Sequence, residues 1–134
     1  MRTAILIPLV FLAFLLTAAT VQQQPNIPSG ISIAIKAGNA SELSKYMNST
    51  IELLLLDKED FYKKDVAENI LDDFFKGYQV KDFTIRHQGA KNDAQYAIGN
   101  LTTAKGNFRV YLLLKKVDKD LLIHIIRIEP DNGK

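Results

Sequence analysis

Four runs rich in aliphatic, aromatic and β-branched residues fill the second half of the chain and constrain its fold more than any other feature. They are KDFTIRH, AQYAIGNLTT, NFRVYLLLKK and LLIHIIRIE, between Lys81 and Glu129. The short segments QGAKND, AKG and VDKD separate them and are typical of turns. Strands joined by short turns pair antiparallel, so the pattern predicts a four-stranded meander. Gly99, in the middle of the second run, predicts a bulge or a sharp bend.

Alternation in the third run assigns its side chains to two faces of the predicted sheet. One face carries Phe108, Val110, Leu112 and Leu114. The other carries Arg109, Tyr111, Leu113 and Lys115. Successive side chains of a strand point to opposite sides, so we expect the first set to pack on helices and the second to be partly exposed.

Two short helices and a buried strand are predicted before the meander. Ser29 is expected to cap the first helix and Gly38 to end it. Its apolar stripe consists of Ile31, Ala34 and Ile35. Asn39 and Glu42 have the spacing of a capping box and predict the start of a second helix, with Leu43, Tyr46 and Met47 on its buried side. The segment IELLLLD, residues 51–57, predicts a mostly buried strand.

The segment KDVAENILDDFFKGY predicts a longer helix. Its apolar face at 100° per residue consists of Val66, Ala67, Ile70, Leu71 and Phe74. Acidic and polar residues lie on the opposite face, namely Asp65, Glu68, Asn69 and Asp72. We expect Gly77 to end the helix, with Phe74 at the centre of the buried stripe and Phe75 at its rim. Helices followed by an antiparallel meander predict an α+β fold.

Residues 1–19 have the three-part layout of a secretory signal peptide. One positive charge at Arg2 precedes an uncharged apolar run from Ala4 to Leu16, and the small residues TAA follow. The strongly apolar run is shorter than the roughly 20 residues that span a bilayer, so cleavage is favoured over an uncleaved anchor. We therefore expect a periplasmic or secreted protein with no stable membrane anchor. A flexible linker at 20–28 would precede a single α+β domain at 29–134.

Composition argues against several kinds of site. The chain contains no cysteine, so it can form neither a disulfide nor a thiolate site. His87 and His124 are its only histidines, and they are distant in sequence, so we predict no metal site. No nucleophile elbow and no phosphate-binding loop is present. The sequence therefore indicates no catalytic residue and no cofactor.

The stretch KGNFRVYLLL begins like an RNA-binding strand. Stacking on bases requires exposed aromatic residues at the third and fifth positions of that signature, and here these positions hold Asn107 and Arg109. Of the chain's 17 basic and 15 acidic residues, signal cleavage would remove only Arg2, which leaves a nearly neutral protein. We therefore predict no binding of nucleic acid.

The residues that most suggest a binding surface are polar and aromatic positions of the predicted meander. They are Arg86, Arg109, Tyr111, Leu113 and Arg127. Arginines beside a tyrosine on one sheet face suit an anion or the carboxylate of a partner. A solvated face is the favoured interpretation of these charges, because cross-strand charged and aromatic pairs also stabilise sheets without a ligand. The amphipathic face also predicts a possible homodimer.

The order of two short helices, a strand, a longer helix and a curved meander resembles the cone-shaped nuclear-transport-factor-2-like and cystatin-like α+β folds. The sequences DDFF (72–75), FTIRHQG (83–89), YAIGNLTT (96–103), FRVYLLLKK (108–116) and IRIE (126–129) resemble those of domain-of-unknown-function family 4783. Members are small exported bacterial proteins. The resemblance implies the fold, and it supplies no catalytic residue.

Two classes of function remain open from the sequence. The favoured class is an exported non-enzymatic domain that binds a small molecule, a peptide or its own copy. The alternative is an enzyme of isomerase or hydratase type that uses the interior of the cone. That alternative requires an acid whose pKa is shifted by an apolar pocket, whereas most acids of this chain fall in turns or on the polar helix face.

Overall fold

A computed structural model describes residues 26–132 of the 134-residue chain. The elements in chain order are α1 (Ser29–Lys36), α2 (Ala40–Ser44), β1 (Met47–Leu55), β2 (Lys58–Lys63), α3 (Lys64–Tyr78), β3 (Val80–Lys91), β4 (Ala94–Thr103), β5 (Gly106–Val117) and β6 (Asp120–Pro130). The predicted signal peptide and the first part of the predicted linker, residues 20–25, lie outside the described residues. Within 26–132, no helix is long and apolar enough to cross a bilayer.

The six strands form one curved sheet in the order β2-β1-β6-β5-β4-β3. The predicted meander is confirmed as β3 to β6, and the predicted α+β class is confirmed as well. All neighbouring strands are antiparallel except β1 and β6, which are parallel. Strand β6 therefore lies inside the sheet and joins the hairpin of β1 and β2 to the meander.

The ends of the two short helices were predicted from individual residues, with mixed outcomes. Gly38 follows the end of α1 and has a φ of 62°, a left-handed conformation that favours glycine. The predicted end of the first helix is therefore confirmed. Asn39 Oδ1 accepts a hydrogen bond from the Glu42 N–H at 3.0 Å, so the predicted cap is confirmed at α2. The prediction for Ser29 is wrong: Pro28 occupies the cap position, and no side chain caps α1.

The first strand is longer than predicted and belongs to a hairpin. It begins at Met47 and ends at Leu55, and a turn with Leu56 at φ 61° leads into β2. Strand β2 was not predicted from the sequence. Its segment KEDFYK is charged and almost entirely exposed, as is common in edge strands, so it has no apolar alternation to detect.

Helix α3 differs from its prediction in which residues it buries. It continues through Gly77 and ends before Gln79, whose φ is 58°, and Val66 is 43% exposed. Phe75 is buried like Phe74, because the turn between α1 and α2 covers it at Gly38. Glu68 was expected on the polar face of the helix. Its carboxylate instead accepts a hydrogen bond from the hydroxyl of the buried Ser44 of α2.

One core lies between the helices and the face of the sheet that we call the inner face. It contains the apolar stripe predicted for α1 and the four predicted inward residues of β5. Its fully buried large side chains include Leu71, Leu101, Leu112, Leu114 and Ile126. The interior of the cone is therefore filled by aliphatic side chains over most of its length.

A bulge bends the sheet next to Gly99. The pairing of β3 with β4 shifts between Ile85 and His87, which leaves Arg86 as the extra residue. A Cβ atom on Gly99 would lie 2.6 Å from the ring of Phe83, so only glycine permits this close approach. The predicted position of the bulge is confirmed, although the extra residue belongs to the neighbouring strand.

Because Phe74 and Phe75 are both buried, we expect Phe74→Ala and Phe75→Ala each to lower the free energy of unfolding by about 3–5 kcal/mol. Denaturant unfolding measures both losses. The exposed Val66 supplies the control, and Val66→Ala should change stability by less than about 0.5 kcal/mol. A loss for Phe75→Ala as small as that of the control would contradict the observed helix packing.

Candidate functional site

The candidate site lies on the outer face of the sheet, opposite the helices. Strand β5 places Arg109, Tyr111 and Leu113 there, because the intervening residues point into the core as predicted. The antiparallel register with β6 sets Glu129 opposite Arg109 and Arg127 opposite Tyr111. Alternation on two adjacent strands thus brings charged and aromatic side chains together.

Arg127 is the centre of this arrangement. Its guanidinium carbon lies 5.7 Å from the centroid of the Tyr111 ring, a distance at which cation and ring attract each other. Its Nη2 lies 4.0 Å from Oε1 of Glu52 on β1. A depression of about 150 Å³ is lined by Arg109, Tyr111, Arg127 and Glu129. Both arginines therefore have a glutamate nearby, and the depression is not a purely cationic site.

The five residues predicted from the sequence are only partly brought together. Arg109, Tyr111 and Arg127 line the same depression. Leu113 lies on the same face, two residues beyond Tyr111 on β5, and pairs with Ile125 of β6 and Tyr96 of β4. Arg86 does not join them, because β4 separates its strand from β5 and it occupies the bulge.

Sequence reasoning missed the glutamates and the apolar extent of the outer face. Glu52 and Glu129 could have been found from the alternation within their own strands. The half-buried apolar residues of this face are Leu54, Tyr96, Ile98, Leu113 and Ile125. Phe61 of β2 pairs with Glu52 and is 69% exposed. The face is therefore a broad amphipathic surface across five strands.

The carboxyl group of Glu52 has a pKa raised above its usual value. The largest cause is its hydrogen bond with Glu59, followed by partial burial and by repulsion from the same carboxylate. Arg127 acts in the opposite direction by favouring the ionised form. The Glu52 side chain is 22% exposed, so it remains within reach of solvent protons.

The raised pKa of Glu52 predicts a pH dependence of stability. A carboxyl that binds its proton more tightly in the folded state stabilises the fold below its ordinary pKa of 4.5, and this contribution is lost as pH rises through the folded value. We expect Glu52→Gln to be progressively more stable, relative to the wild type, as pH rises toward neutrality. Urea unfolding from about pH 4 to about pH 8 measures the difference.

Glu59→Gln is the matched variant for this test, because it replaces a charged hydrogen-bond acceptor by a neutral, weaker one and removes the repulsion that raises the pKa of Glu52. Its stability should depend on pH less than that of the wild type. Parallel pH profiles for the wild type and Glu52→Gln would contradict the coupling of the two carboxyls.

The start of the KGNFRVYLLL stretch has a structural role in this fold. Ala104 and Lys105 form the turn between β4 and β5, and the Thr103 hydroxyl donates a hydrogen bond to the carbonyl of Gly106, the first residue of β5, at 2.8 Å. The Lys105 ammonium lies 5.5 Å from the centroid of the Tyr78 ring. Across residues 26–132, no group of three or more histidine, aspartate or glutamate residues is arranged to hold a metal ion.

The family model described as Domain of unknown function (DUF4783) matches residues 28–129. The chain belongs to the DUF4783 family. A family member from Bacteroides ovatus ATCC 8483 is 39% identical with a TM-score of 0.77, over 80% of this chain and 97% of that one. Another from Bacteroides uniformis ATCC 8492 is 37% identical with a TM-score of 0.77, over 81% of this chain and 100% of that one. No curated protein matches the sequence.

More distant structures share the fold of the DUF4783 chain without close sequence similarity. They include nuclear-transport-factor-2-like and cystatin-like proteins, as the resemblance implied. One is a protein of unknown function with a cystatin-like fold from Nostoc punctiforme PCC 73102. It is 10% identical with a TM-score of 0.60, over 78% of this chain and 86% of that one. This similarity concerns the fold alone.

Proposed function

We propose that this protein is an exported, non-enzymatic domain that pairs with a second copy of itself through the outer sheet face. The observation that carries the proposal is the amphipathic surface on that face, where half-buried apolar and aromatic residues adjoin charged ones across five strands. Along one cross-strand row, Phe61, Glu52, Ile125, Leu113 and Tyr96 follow one another from β2 to β4. Partly exposed apolar residues that cluster on one face and are bordered by polar ones mark interaction sites in small domains.

The charges on the outer face favour a second copy as the partner. Arg109 and Arg127 lie on the same surface as Glu52 and Glu129. In a two-fold interface each surface meets its own image, so a face with both signs of charge can oppose each arginine to a glutamate of the other copy. A strongly acidic or strongly basic partner would leave half of these charges without a counterion.

The inner side offers little support for an enzyme of isomerase or hydratase type. Leu112, Leu114 and Ile126 fill the space between sheet and helices. The carboxyl group with a raised pKa, Glu52, lies on the outer face and is outside that interior. A general acid or base of the kind found in pocket enzymes needs both the shifted pKa and the enclosed position.

We expect the wild-type protein to be a dimer at micromolar concentration and Tyr111→Glu to be a folded monomer. Tyr111 is half-buried at the centre of the surface, where a new carboxylate would be desolvated on pairing but hydrated in the monomer. Analytical ultracentrifugation gives the mass, and circular dichroism checks the fold.

Ile33→Glu is the matched control for this substitution. Ile33 is an apolar residue of α1 that is 66% exposed on the helical side of the molecule, so the same kind of change should leave the dimer intact. A wild type that stays monomeric contradicts the proposal. Dissociation by Ile33→Glu, but not by Tyr111→Glu, would assign the interface to the helices.

Export is supported by the order of charge, apolar run and small residues in 1–19. We expect the protein, when produced with its full sequence in a bacterial host, to begin near Thr20. Mass spectrometry of the purified protein measures its first residue. A product that retains Arg2 and sediments with membranes would contradict export by cleavage.

A further inference from the structure

A second cavity lies on the inner side of the sheet, where the hairpin of β1 and β2 meets helix α3. Its volume is about 160 Å³, and it is lined by Leu53, Leu55, Lys58, Tyr62 and Ile70. Lys58 pairs with Leu55, and Tyr62, four residues further along β2, lies on the same face of that strand. Ile70 of α3 closes the cavity from the side of the helix. The cavity is thus separate from the outer face.

The wall of this cavity is divided between apolar and polar groups. Leu53, Leu55 and Ile70 provide an aliphatic surface. The Lys58 ammonium and the Tyr62 hydroxyl have no hydrogen-bond or ion-pair partner among residues 26–132. Asp60, between them on β2, does not line the cavity, and its carboxylate accepts a hydrogen bond from the Phe61 N–H at 2.8 Å. Two donors without acceptors therefore stand beside an apolar space.

We propose that this cavity binds a small apolar monocarboxylate. The hydrocarbon part would contact Leu53, Leu55 and Ile70, and the carboxylate would accept hydrogen bonds from Lys58 and Tyr62. Apolar cavities of about 150 Å³ admit a benzene ring, so one ring or a short acyl chain fits the volume. A cationic ligand is disfavoured because Lys58 is the charged group of the lining.

The neighbouring core sets the upper limit of ligand size. Leu53 pairs with Ile126, and Ile126 pairs with Leu112. All three are almost completely inaccessible to solvent, so the cavity does not continue along the cone. Ligands with several fused rings are excluded unless the core opens.

The test is titration of the mature protein with sodium benzoate and, separately, sodium hexanoate, followed by methyl NMR. We expect saturable shifts at Leu53, Leu55 and Ile70 with at least one of the two acids. Lys58→Met should weaken binding about 10-fold or more, because it removes a charged donor, whereas Lys58→Arg should retain binding. Benzamide, which has the same ring without the charge, should bind the wild type more weakly than benzoate.

Lys63→Met is the matched control, because it removes the same charge from the same strand at a residue outside the cavity lining. It should bind both acids like the wild type. The proposal is overturned if neither acid gives saturable shifts, if Lys63→Met weakens binding as much as Lys58→Met, or if benzamide binds as tightly as benzoate. Ile70→Phe, which fills the cavity, should abolish binding in a protein that still folds.

Discussion

The contact between helix α3 and strand β5 determines which side of the sheet is buried. The Phe74 and Phe108 rings meet edge to face, with centroids 5.5 Å apart, and Tyr78 packs on both rings. Once Phe108 points toward the helix, alternation sends Arg109 and Tyr111 to the other side. A shift of β5 by one residue would exchange the core and the outer face, so the candidate interface depends on this aromatic packing.

The filled interior and the amphipathic exterior together explain why the two proposed sites lie where they do. Aliphatic side chains occupy the middle of the cone, and the cavity proposed to bind a monocarboxylate lies at its margin, beside the exposed strand β2. The outer face, by contrast, carries charged, aromatic and aliphatic side chains side by side across five strands. The raised pKa of Glu52 links this face to pH, because its protonation changes the charge that the surface presents.

The parts of the fold that depend on local periodicity were predictable from the sequence, and the parts that depend on distant contacts were not. The two faces of β5 and the cap at Asn39 follow from neighbouring residues alone. The burial of Phe75 required the turn at Gly38 to cover it, and the position of Arg86 was changed by a one-residue bulge. Sequence reasoning thus found three of the residues that line the outer depression but not the glutamates that balance their charge.

The place of β6 inside the sheet has a consequence for biosynthesis. This strand follows all the other described elements in the chain, yet it bridges β1 and β5, so Leu53 finds its partner Ile126 only after the intervening residues have been made. Pairings between such distant residues form late, because a long loop must close first. The sheet therefore cannot be completed until β6 is available, and until then the edge of β1 that β6 covers stays unpaired.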